Sequence, residues 1–135
     1  MTLNPYSVAD VSAKPQNEME ARALVRTASR LNALKENWPP KREKLDEALE
    51  LNRKLWTFFL SEICDERNPL PREIKQNIFN LAHFIFKHTF AIQANPKAES
   101  LDILININMN IARGLNEQSK LRKEQTATPS TSQNA

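Results

Sequence analysis

A single glycine stands among the 135 residues, and with it goes most of the chemistry that needs a backbone at positive φ or in close approach to a ligand. Tight β-hairpins draw on glycine-bearing turns and phosphate-cradling loops are glycine-rich, so neither a meander of strands nor a nucleotide-binding loop fits. The lone Cys64 cannot close an internal disulfide, which points to a reducing compartment. It also stands beside Asp65 and Glu66, away from the electropositive setting that activates a thiolate. The only two histidines, His83 and His88, are five residues apart and do not converge on a metal as an i, i+4 pair does. No apolar run approaches the roughly 20 residues of a membrane span. The first residues lack the basic start and apolar core of a secretory signal, so a cytoplasmic protein is expected. Asp46, Glu47 and Glu50 sit among lysines and read as a solvated face, so no enzyme, cofactor or metal centre is expected.

What is present points to helices. A hydrophobic fraction of 40% supports a folded chain, and eight prolines against one glycine suit helices joined by proline-marked loops. The expectation is an all-α, small four-helix bundle-like domain over residues 17–116. An extended N-terminal arm over 1–16 precedes it and a disordered C-terminal tail over 117–135, rich in Ser, Thr, Gln, Pro and Asn, follows. Asn17 is the expected cap of the first helix, with Glu18 and Glu20 in its first turn and an apolar stripe at Leu24, Ala28, Leu31 and Leu34. Pro39 and Pro40 end it, and Pro40 is placed to open the second helix.

The densest apolar payload of the chain lies at 52–65, on the second helix. Leu45, Ala48, Leu49, Asn52, Leu55, Trp56, Phe59 and Ile63 share one face there, while Leu51 and Phe58 project elsewhere. Asn52 falls inside the stripe, where an amide needs a hydrogen-bond partner. Asn68-Pro69 marks a turn and Pro71 opens a third helix with its stripe at Ile74, Ile78, Leu81, Ile85, Thr89 and Ile92. Phe79, His83, Phe86 and Phe90 align on a second side of that helix, which is then either central in a bundle or presents one side to a partner. After Asn95-Pro96, a fourth helix spans about 97–115 with its stripe at Leu101, Leu104, Ile105, Asn108, Ile111, Ala112 and Leu115, and Gly114 as a terminator. Asn52, Trp56 and Asn108 are assigned to holding the bundle together.

Phe58, Phe79, Phe86, Phe90, Ile103 and Ile107 exceed what a core of this size needs and are the candidate partner-binding surface, a groove for an amphipathic helix. Lys41, Arg42, Lys44, Arg53 and Lys54 are the cations available to a nucleic acid, but Glu43, Asp46, Glu47 and Glu50 dilute them. A net charge of +3 without a basic block makes direct RNA binding the weaker reading.

The run 47–56 (EALELNRKLW), the loop and helix start Asn68-Pro69-Leu70-Pro71 with Ile78 and Leu81 following, His88-Thr89, Ile107-Asn108 and Gly114-Leu115 resemble, in order and spacing, the FlaF family of flagellar biosynthesis regulators. Tyr6 and the stretch from Lys14-Pro15 to Glu20-Ala21 are similar to that family's start. The family pattern has an arginine after the early proline and a tryptophan near position 84, where Gln16 and Phe84 stand here. The resemblance implies a cytoplasmic all-helical bacterial protein that binds flagellin as an export chaperone and positively regulates its synthesis and secretion. It acts opposite a second regulator, FlbT, a possible direct partner. The alternative is a post-transcriptional regulator acting on flagellin mRNA directly or through FlbT.

Overall fold

In a computed structural model the chain is described over residues 9–127, with side chains over 17–121 and at Glu124. The fold is all-α. Four helices, α1 (Ala9–Glu36), α2 (Arg42–Ile63), α3 (Arg72–Ala94) and α4 (Leu101–Ala127), carry it, with one 3₁₀ turn at Ala98–Ser100 leading into α4. No strand occurs among the described residues, and the isoleucine-rich run 101–107 is helical.

The proline-marked boundaries lie where backbone chemistry demands. Helix α1 stops at Glu36, three residues before Pro39. Helix α2 starts two residues later than Pro40, at Arg42, with Lys41 in extended geometry as its cap, and Pro71 caps α3 from outside in place of opening it. Asn68 Oδ1 accepts the Leu70 N–H at 3.0 Å, an Asx turn that bends the chain between α2 and α3 and sends Leu70 into the core.

Two expectations at the ends are corrected. Helix α1 already begins at Ala9, inside the segment expected as an arm, and Asn17 is not its cap. Asn17 is 3% exposed and belongs to the buried stripe that continues through Ala21, Leu24, Ala28 and Leu31. Helix α4 does not stop at Gly114 but runs to Ala127 through the first part of the expected tail. No glycine has positive φ, and a Cβ at Gly114 would meet nothing within 4 Å, so this glycine neither terminates the helix nor allows a close approach.

Both extensions follow from one antiparallel pairing. Ser119 donates to Glu18 Oε2 at 2.9 Å near one end of the α1/α4 pair, and Lys35 meets Asp102 at 2.6 Å near the other. These two ties share a single register, which sets Glu36 opposite Leu101 and carries residues 9–17 alongside the last turns of α4. Each helix end gives the other a surface to lie on, and isolated ends of this composition have none. Residues 1–8 and 128–135 lie outside the described range.

Helices α2 and α3 form the second antiparallel pair. Their junction far from the Asx turn is tied by Arg42, whose Nε donates to Asp46 at 3.1 Å and whose Nη2 donates to the Gln93 carbonyl at 2.6 Å. That carbonyl lies in the last turn of α3, where no intrahelical N–H follows to satisfy it and a cation is favoured by the helix dipole. The core fills the space between the two pairs. Leu24, Leu31, Leu49, Trp56, Ala82, Ile85, Leu101 and Leu104 in it have no measurable exposure.

Candidate functional site

The inner face of α2 carries a directional polar chain. Trp56 Nε1 donates to Asn108 Oδ1 at 2.8 Å, and Asn108 Nδ2 donates to Asn52 Oδ1 at 2.8 Å. An indole N–H can only donate, so it fixes the orientation of Asn108, and Asn108 in turn fixes Asn52. All three residues are fully buried, and Trp56 also meets the Phe59 ring edge-on at 5.5 Å. The chain ends at Asn52 Nδ2, which is buried without an acceptor, as is Asn17 Nδ2. This network joins α2 to α4 through the three residues assigned above to holding the bundle together.

The outer face of α3 is its opposite in exposure. Ile78, Ala82, Ile85, Thr89 and Ile92 face the core, and Thr89 spends its hydroxyl on the Ile85 carbonyl at 2.7 Å. One flank round from these, at three- and four-residue spacing, come Phe79, His83, Phe86 and Phe90. Phe90 is 66% exposed and Phe79 41%, while Phe86 is half-buried against the core and anchors the stripe. The Phe79 and His83 rings meet edge to face at 4.7 Å. The stripe is thus a preassembled apolar ridge on a helix, with Phe79 and Phe90 exposed among the described residues.

The six expected contact residues do not converge on one groove. Phe79, Phe86 and Phe90 share the ridge. Phe58 is exposed on α2, but at the spacing of Leu51 and Leu55, on the flank that faces α1. Ile103 is exposed on α4, which touches α3 only lightly. Ile107 is corrected outright: it is 8% exposed and belongs to the core cluster. Its neighbours Leu104 and Asn108 are fully buried, and the buried arc of α4 is wider than one stripe because the helix packs on α1 along one side and closes the core towards α2 and α3 along the other.

Two features lie outside the expected partner surface. Phe84, on the other flank of α3, is 43% exposed and stacks on His88 at 5.3 Å, and His88 Nε2 donates to the Ser100 carbonyl at 2.8 Å. The carbonyl can only accept, so the proton sits on Nε2, and the histidine ties α3 to the 3₁₀ turn. The second feature is a cleft of about 390 Å³ between α1 and α2, whose signal was the spacing of Leu51, Leu55 and Phe58. The carboxyl of Asp65, beside the exposed Cys64, is held down at about 2 by the Arg67 side chain first and the Arg67 backbone N–H second.

Among the described residues no helix is long and apolar enough to cross a membrane. The chain is similar to the family described as flagellar protein FlaF, whose family model matches residues 2–115. No curated protein matches the chain, and no solved structure does.

Proposed function

The chain belongs to the FlaF family of flagellar proteins, and from that premise we propose that it binds flagellin in the cytoplasm as an export chaperone and thereby promotes flagellin synthesis and secretion. The observation that carries the reading is the ridge of Phe79, Phe86 and Phe90, exposed on α3 and fixed from beneath by the core. Flagellin's terminal segments are amphipathic helices whose apolar faces need cover before assembly. A rigid aromatic ridge supplies cover at little entropic cost, because each phenylalanine has few rotamers to lose. The protein works by binding, not by catalysis. Binding newly made flagellin both shields it and relieves restraint on its synthesis, so one contact serves protection and regulation, with FlbT as the opposing regulator.

Titration of monomeric flagellin into the purified protein tests this by calorimetry. Saturable heat at micromolar concentration, with a negative heat-capacity change from apolar burial, is the expected result. Absence of heat together with absence of co-elution in gel filtration would rule the reading out. Affinity that collapses steeply with salt would instead point to the flagellin messenger.

A further inference from the structure

The cleft between α1 and α2 is built differently from the α3 ridge. Its floor is apolar, with Ala23 from α1 and Leu51 and Leu55 from α2, and Phe58 extends the same flank of α2 by one more turn. Its rim is cationic on both sides: Arg26 and Arg30 stand on α1 and Lys54 on α2. No acidic side chain lines it. Thr27, the one hydroxyl of the lining, donates to the Ala23 carbonyl at 2.8 Å.

The carboxylate one turn before Lys54 is paired mainly with Arg53. Glu50, one turn earlier, accepts two hydrogen bonds from Arg53, Nε to Oε1 at 2.9 Å and Nη2 to Oε2 at 2.6 Å. That grip holds the Glu50 carboxyl below its ordinary pKa and the Arg53 guanidinium above its own. Arg26, Arg30 and Lys54 line the cleft as its three cations, and Lys54 is also near enough to Glu50 to help lower its pKa.

We propose that this cleft is a second docking site, separate from the α3 ridge, for an amphipathic helix with an acidic flank. Leucine-like anchors of that helix lie on Ala23, Leu51, Leu55 and Phe58, and its carboxylates meet Arg26, Arg30 and Lys54. Charge complementarity commits the cleft to an acidic occupant, because a three-cation rim repels a basic one and steers and favours an acidic one. The chain's own ends do not qualify, since residues 1–8 and 128–135 contain no Asp or Glu. The proposal goes beyond the flagellin reading and does not depend on it.

The test uses the full chain and two fluorescent synthetic peptides of about 18 residues, long enough to hold a helix on contact. Both carry leucines at three- and four-residue spacing; one has glutamates on the remaining positions and its twin has lysines. The acidic peptide binds at least roughly tenfold tighter than the twin. The variant Arg26→Glu/Arg30→Glu reverses that preference, and its gain of the lysine twin shows that it is folded. Phe90→Ala changes neither affinity, which separates this site from the ridge whatever happens with flagellin.

Equal binding of the two peptides, no saturation of the acidic one, or a preference that survives the charge reversal overturns the proposal. So does competition by an oligouridylate whose own binding ignores Leu51→Ser, since that would make the cleft a phosphate site. Concentration-dependent displacement of the acidic peptide by unlabelled protein, with matching dimerisation in sedimentation, overturns it in favour of a second copy of the chain.

Discussion

Trp56 and Phe90 are aromatic residues on neighbouring helices of one bundle, and their surroundings have nothing in common. Trp56 is fully buried, its single donor is committed to Asn108, and Asn108 is committed to Asn52. Phe90 is 66% exposed. The inner residue is fixed by partners on α2 and α4 inside the core, so its replacement should be felt by the whole fold. The outer one answers only to its own helix, so it is free to serve a partner. The buried network and the proposed partner surface thus lie on opposite faces of the α2/α3 pair, and disturbing one should leave the other in place.

Trp56→Ala should show the largest effect, about 3–5 kcal/mol of stability lost in denaturant unfolding, because it opens a large cavity and orphans Asn108 Oδ1. Asn108→Ala follows at about 2–4 kcal/mol, since it leaves both the indole N–H and Asn52 Oδ1 without partners. Asn52→Leu sharpens the comparison from within the network. It deletes an amide whose Nδ2 is already unpartnered and orphans only Asn108 Nδ2, so its cost should be about 1 kcal/mol and clearly below that of Asn108→Ala. Equal losses from the two would break the directional account of the chain.

At the surface the effects shrink. Arg42→Ala frees the Gln93 carbonyl and loosens the α2/α3 junction at a cost of about 1 kcal/mol, seen as faster hydrogen exchange in the last turn of α3. The smallest effect is at Asp65. Its carboxyl titrates at about 2 in the fold against an ordinary 3.8, so the unfolded chain binds more protons between those values. The stabilisation it gives is present above about pH 4 and lost as pH falls towards 2. Melting curves of Asp65→Ala and the parent should differ slightly at neutral pH and converge at the acid end of that window.

Much of this architecture was legible in the residues. Pro39 and Pro40, Asn68-Pro69 and Asn95-Pro96 mark all three connections because proline removes a donor and fixes φ. The asparagines at 52 and 108 stood out because a polar side chain inside an apolar stripe must have a partner. The outer ends of α1 and α4 were not legible. Pro15 and Gly114 argue locally for termination, and only the pairing of α1 with α4 along their full lengths overrides them. Ile107 and Phe58 were assigned by periodicity, which gives a residue's angle on its own helix but not which neighbour covers that angle. The tie from Arg42 to Gln93 and the cationic rim at Arg26, Arg30 and Lys54 come from tertiary placement across two helices, to which no spacing rule applies.

The division between inner and outer faces is tested most directly by the double variant Phe79→Ser/Phe90→Ser, followed in one preparation by thermal melting and by calorimetric titration with flagellin. The melting temperature should stay within a few degrees of the parent, since neither ring belongs to the buried core. The binding constant should fall by roughly a hundredfold or more, as expected for two exposed aromatic anchors. An unchanged flagellin affinity in a protein that melts normally would contradict the assignment of the α3 ridge to the partner.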